Sequence, residues 1–307
     1  MTTNMQTTSN LLMIKPVRFD FNAETAVNNS FQQASADEQV SAKATAEFDR
    51  FVSVLRNAGV QVTVVEDTPE PHTPDSVFPN NWISFHTDGT IFLYPMFAVN
   101  RRLERKPHVL SAIAEKFQVA NTIDLSTYEQ QHVFLEGTGS MVLDRENKIA
   151  YACLSPRTDL TVLNDWCNKA GFRPVAFTSV DSKGDPIYHT NVMMCIADRF
   201  AVICLDSIPD SKERTAVTET LQDTKKEIIE ISFDQMNHFA GNMLQVKNTT
   251  GQHYLVMSSQ AYHSLTPDQV QRIEKYNPIL HSDITTIETN GGGSARCMMA
   301  EVFLPEK

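Results

Sequence analysis

The sequence predicts an α/β fold of five ββαβ-like units set around an axis. Three observations carry that expectation. Two β-rich runs joined by a turn recur along the chain, and a stretch with helical spacing of apolar residues usually follows. Residues just before, or at the start of, the first run of each unit recur at near-constant intervals. Asn81 to Glu136 is 55 positions, Glu136 to His189 is 53, His189 to Asn242 is 53 and Asn242 to Cys297 is 55. Repeats of about 50 residues containing hairpins point to a propeller or an array.

In the first unit, runs 81–86 and 90–94 flank Thr87-Asp88-Gly89, a D-G hairpin signal. A helical stretch over 101–117 and a short strand over 121–125 follow. The second unit has runs at 141–144 and 149–153 and a helix over 160–170. The third has runs at 192–196 and 201–204, a helix over 210–222 and a strand over 228–231. The fourth has runs at 243–246 and 254–257, then helices to Lys275. The fifth begins with 298–304, where the chain ends. Its missing part is expected from the N-terminus: strand 11–14, helix 38–58 and strand 62–65. Rotation about the axis would bring Asn81, Glu136, His189, Asn242 and Cys297 together.

Composition bounds the function. The chain has 307 residues, 41% hydrophobic and 21% charged, which argues for a folded globular protein. Residues 1–10 are polar and expected to fray as a flexible tail, leaving 11–307 as a single domain. The net charge of −11 disfavours a nucleic-acid partner. No apolar run approaches the roughly 18 residues of a membrane span. The N-terminus lacks the charged and apolar regions of a secretory signal. Five cysteines cannot all pair within one chain, and a cytoplasmic location is expected. No CxxC or His-x3-His spacing occurs, so neither a metal nor a cofactor is expected. The oligomeric state stays open, with a homodimer as the one assembly entertained.

The chain holds only 11 glycines, and three stand together at Gly291, Gly292 and Gly293, just before Cys297. Glycine lets backbone approach a ligand closely. A thiolate is a nucleophile, an imidazolium beside it favours the thiolate, and a carboxylate favours the imidazolium. Cys297, His189 and Glu136 supply those three groups at equivalent repeat positions. Cys153, Cys167, Cys195 and Cys204 read as buried structural thiols. His72, His86 and His108 read as surface or loop residues. Arg101, Arg102 and Arg157 follow the second strand of their units and suit capture of a carboxylate. The long stretch 66–80 is a candidate lid.

Together these residues resemble the guanidine-modifying superfamily over about residues 11–304. It includes arginine deiminases, dimethylarginine dimethylaminohydrolases, amidinotransferases and a branch of citrulline-cleaving hydrolases. The segment Asn290-Gly-Gly-Gly-Ser-Ala-Arg-Cys297 is similar to the family's nucleophile motif. Tyr188-His189-Thr190-Asn191 resembles its His motif, and Leu135-Glu136-Gly137 its Glu-Gly motif. Residues 75–81, Asp-Ser-Val-Phe-Pro-Asn-Asn, are similar to a segment of the dimethylarginine hydrolases.

The resemblance implies a five-bladed α/β propeller, a pentein, with pseudo-fivefold symmetry. It implies a small-molecule substrate, with Cys297 as nucleophile, His189 as acid and base, and Glu136 as their partner. It places Asp75, Asn80, Asn81, Arg102 (or Arg101), Arg157, Asn191, Asn242 and Gly292 at the substrate. Two positions where the family carries Asp are amides here, Asn81 and Asn191. An amide both donates and accepts, which suits a neutral ureido group better than a guanidinium. The expected reaction is therefore hydrolysis of citrulline to ornithine, ammonia and carbon dioxide. The alternatives are an arginine or dimethylarginine hydrolase, an amidinotransferase, and a non-enzymatic binding protein on the same propeller.

Overall fold

The computed structural model describes residues 5–35 and 39–307. Strands β1 (Asn10–Lys15) and β2 (Gln61–Glu66) pair in parallel, and the helix Val40–Asn57 connects them. Strands β3 (Ile83–Phe85) and β4 (Thr90–Leu93) form a hairpin, which β5 (Asn121–Asp124) joins in parallel. The same order recurs in β6 (Val142–Asp144), β7 (Ile149–Cys153) and β8 (Arg173–Phe177). It recurs again in β9 (Met194–Ile196), β10 (Phe200–Ile203) and β11 (Glu227–Glu230), and in β12 (Leu244–Lys247), β13 (His253–Ser258) and β14 (Ile279–Ser282). Strand β15 (Ala300–Glu301) pairs antiparallel with β1, completing the N-terminal sheet from the C-terminus. Each sheet thus holds one antiparallel and one parallel pair. The parallel pairs require the long helical returns, because only antiparallel neighbours can be joined by a tight turn.

The helices form where their apolar spacing allows. Along Val40–Asn57, Ala44, Phe48, Phe51, Val52 and Leu55 are buried, one face at helical spacing. They pack with Leu11, Met13 and Val62 of β1 and β2. Complete burial of such side chains contributes about 1.5–3 kcal/mol each. The helix Leu160–Ala170 starts at Asp159, whose side chain accepts from the Thr161 N–H, and ends at Gly171 with φ 71°.

Several expectations need correcting. The single helix over 101–117 is two pieces, a 3-10 turn at Asn100–Glu104 and a helix at Pro107–Lys116. Pro107 has no N–H to continue the first piece and is suited to start the second. The C-terminal run is regular only at Ala300–Glu301. Strand β14 and the helix Thr285–Gly291 were not anticipated. His86 is buried, bonded to the Ser84 hydroxyl and packed on Phe92 and Trp166.

The tail expectation also fails where it can be checked. Residues 1–4 of the tail and residues 36–38, at the start of the expected helix, lie outside the described residues. Gln6, Thr7 and Thr8 are buried. The Gln6 side-chain amide donates to the Leu143 and Ile196 carbonyls and accepts from the Arg145 N–H. The Thr8 hydroxyl donates to the Val302 carbonyl. Hydrogen bonds to backbone groups of other sheets hold this segment.

Short turns precede the first strands and carry the site. Pro79–Asn81 packs against the one-turn helix Gly137–Ser140, which packs against Thr190–Met193. A chain of hydrogen bonds links unit to unit. The Thr138 hydroxyl donates to the Asn80 carbonyl at 3.3 Å, and the Thr190 hydroxyl to the Ser140 carbonyl at 2.6 Å. The Asn242 amide donates to the Asn191 carbonyl at 2.8 Å and accepts from the Arg296 N–H at 3.0 Å. Among the described residues, no helix is long and apolar enough to cross a membrane.

Candidate active site

Cys297 lies just before the last strand, buried, with its sulfur facing two amides. Asn242 Nδ2 is 3.3 Å and Asn191 Nδ2 3.4 Å from Sγ. Both are donors, the direction that suits a thiolate. The other four thiols are pushed up to about 11–12 by burial.

His189 Nε2 donates to Glu136 Oε2 at 2.8 Å. Nδ1 then carries the ring's lone pair. Gly139 lies against this ring, and a Cβ there would stand 2.8 Å from Nδ1 and 2.4 Å from Asn81 Nδ2. The second Glu136 oxygen accepts the Phe97 N–H at 2.9 Å. Burial acts to raise the Glu136 carboxyl, but Arg157, the His189 hydrogen bond and Arg101 bring it down to about 2. Burial pushes His189 down to about 4, against the pull of Glu136 and helped by Arg157 and Arg101. This corrects the expectation of a standing imidazolium: desolvation and two guanidiniums outweigh one carboxylate, so the resting ring is neutral.

A small, nearly closed cavity is lined by Cys297, His189, Asp75, Asn81, Arg101 and Arg157, with Thr25 and Asn29 from the N-terminal segment. Asp75 Oδ2 accepts from Asn22 and Thr25, while Oδ1 is buried without a partner. Burial pushes this carboxyl up, against Arg101 and the Asn22 hydrogen bond. Asn191 Oδ1 and Asn80 Nδ2 are likewise buried and unpartnered. The other Asn80 atom, Oδ1, accepts from Asn81 Nδ2. Three buried polar atoms thus lack partners at or beside the thiol cavity.

The arginines divide. Arg101 lines the cavity, but its donors go to both Glu104 oxygens, to Asn81 Oδ1 at 2.8 Å and to the Phe78 carbonyl. It therefore orients Asn81. Arg102 is partly exposed and turns to the Met96 and Phe97 carbonyls and to Glu129, away from the cavity. Its expected substrate contact is corrected accordingly. Arg157 is buried over the Tyr188 ring, held by Asn28 Oδ1 and the Thr25 carbonyl, with Nη1 3.6 Å from Glu136.

Gly292 has φ 65°, and its carbonyl accepts from the Tyr188 hydroxyl at 2.6 Å and from Asn29. Thr25, Asn28, Asn29 and Gln32 belong to a cap that sequence reasoning missed. The segment 19–33 is polar and has neither strand nor helix periodicity. The expected lid over 66–80 is instead tied down. Lys106 Nζ bonds Asp67, Thr73 and the carbonyls of Thr68 and Pro71. Among the described residues, no trio of His, Cys, Asp or Glu is placed to hold a metal.

Comparison with known proteins places this geometry. The family model for eukaryotic N,N dimethylarginine dimethylhydrolase matches residues 15–304. No curated protein sequence matches the chain. Among solved structures, the N-terminal domain of ArgZ, a cyanobacterial arginine dihydrolase, is similar with a TM-score of 0.76 at 17% identity. The match covers 96% of this chain and 98% of that one. AgrE, solved as a variant with L-arginine, has a TM-score of 0.76 at 17% identity over 97% of this chain and 40% of its own. A dimethylarginine dimethylaminohydrolase variant, an adduct with S-methyl-L-thiocitrulline, has a TM-score of 0.64 at 14% identity over 95% and 98%.

Proposed function

The chain belongs to the eukaryotic N,N dimethylarginine dimethylhydrolase family, and from that premise we propose that it is a cysteine hydrolase of ureido amino acids, with citrulline as substrate. The observation that carries this reading is the amide lining at the thiol. Asn191 and Asn242 touch Sγ, and among the described residues no carboxylate bonds it. Asn191 Oδ1 is open to accept an N–H, and amides bind a neutral group without leaving charge unbalanced.

In this reading His189 takes the Cys297 proton once substrate excludes water. The thiolate attacks the ureido carbon, and positioned donors stabilise the tetrahedral intermediate. His189 returns the proton to the departing amine, and a thiocarbamate remains on sulfur. The same base then draws a proton from water, which displaces the thiol and releases a carbamic acid, and this loses carbon dioxide to free the second amine. Citrulline and one water give ornithine, ammonia and carbon dioxide. Glu136 holds His189 in one tautomer. Arg157 supplies the charge for the substrate carboxylate, and Asp75 Oδ1 the acceptor for its ammonium.

We read the five sheets as blades of a five-bladed α/β propeller and residues 11–307 as one catalytic domain. The unit-to-unit hydrogen bonds support this. Five free thiols support a cytoplasmic location.

The second reading is arginine as substrate. Asp75 Oδ1, an unpartnered carboxylate oxygen in the cavity, favours it by offering charge to a guanidinium. Ammonia release from citrulline, arginine and methylated arginines tests both. Efficient citrulline turnover with little from arginine is expected. Arginine turnover without citrulline turnover would overturn the ureido reading.

A further inference from the structure

Asn242 is tied at both ends of its amide and still touches the thiol. Oδ1 accepts the Arg296 N–H at 3.0 Å, one residue before the thiol. Nδ2 donates to the Asn191 carbonyl at 2.8 Å. These two bonds fix which atom is nitrogen, since a flipped amide would face a donor with a donor. The remaining Nδ2 proton is left for Cys297 Sγ at 3.3 Å. Oδ1 is also 3.7 Å from the sulfur, a weaker acceptor for the thiol proton. Asn242 is wholly buried and does not line the cavity. Asn191 Oδ1, by contrast, is buried without a partner.

We propose that Asn242 is a further catalytic residue, a preorganised donor to the Cys297 sulfur and not a substrate contact. The proposal rests on Cys297 being the nucleophile. When the thiol proton leaves for His189, the electron pair stays on sulfur and the Asn242 N–H already points at it. No group moves and the amide keeps both its protons. Because the amide is bonded to residue 296, any displacement of the nucleophile loop also breaks this donor contact.

The test is alkylation of Cys297 by iodoacetamide, read on its peptide by mass spectrometry in N242D, N242A and the unaltered protein. The Asp variant keeps the size and the acceptor toward Arg296 but loses the donor. A hydrogen bond to a charged group is strong enough that its loss slows alkylation about tenfold or more near neutral pH. The rate should recover at high pH, where every thiol ionises. Should the Asp variant not fold, the Ala variant carries the same expectation. Unchanged alkylation at neutral pH in a folded variant would overturn the proposal. So would unchanged alkylation with a raised KM, which would make Asn242 a substrate contact. Turnover by C297S is measured in parallel. If it persists, the nucleophile assignment fails and this proposal with it. If it is lost while N242D alkylates normally, the Asn242 assignment alone fails.

Discussion

His189 is a residue on which burial and a partner compete for one proton, and burial wins. The ring sits at about 4 when folded against 6.5 unperturbed. Glu136 sits at about 2 against 4.5. In both cases the unfolded chain binds protons at a higher pH than the folded chain. Stability from this pair is therefore complete above pH 6.5. It is lost as pH falls from 6.5 toward 4 for His189, and from 4.5 toward 2 for Glu136. Thermal melts from pH 7 to pH 4 should show a steep fall for the native sequence and a shallower one for H189Q. Equal slopes would mean that folding leaves the ring's proton affinity unchanged. The thiol offers a second expectation at this scale. C297S should lose turnover by at least about a thousandfold while its melting temperature changes little, since one buried atom is exchanged for a slightly smaller one. Ammonia release and circular dichroism check the two halves.

The turns before each first strand work through what they leave out. Gly139 has no side chain where one would meet both Asn81 Nδ2 and His189 Nδ1. In G139A those two groups must shift by a sizeable fraction of an ångström. A misplacement of about 1 Å costs on the order of 100-fold in rate. The expected result is a kcat lowered by about that factor in a folded protein, and native kcat would remove the packing argument. Gly292 works on the cap. Its φ of 65° penalises any Cβ, and that Cβ would stand 2.5 Å from Asn29 Nδ2 and 2.9 Å from the Gln32 N–H. G292A should therefore lift the cap and raise KM more than it lowers kcat, as steady-state kinetics would read. Elements differ in how far the sequence betrayed them. The hairpins were legible because D-G and similar turns sit between alternating or apolar runs. The cap was not, because its order comes from bonds between distant side chains such as Asn28 and Arg157, which leave no periodic trace.

The five-unit plan was legible as spacing, and the N-terminal strand pairs with the C-terminal one as that plan requires. What the spacing did not convey is how the polar N-terminus takes part. Gln6 makes three hydrogen bonds to backbone atoms of residues 143, 145 and 196, so one side chain spans the sheets of β6 and β9. Thr8 adds the C-terminal end through the Val302 carbonyl, and its own carbonyl accepts from Lys247 at the end of β12. Four sheets are thereby stitched by two residues that composition alone marks as expendable. Replacing Gln6 with Ala leaves two carbonyls and one N–H buried or part-buried without this partner. An unsatisfied buried group costs about 1–3 kcal/mol. For a chain of this size, that predicts a melting temperature lower by several degrees. Turnover below the transition should match the native protein, because none of these atoms lines the thiol cavity. An unchanged melting temperature in Q6A would show that the N-terminal segment rests on the sheets without holding them together.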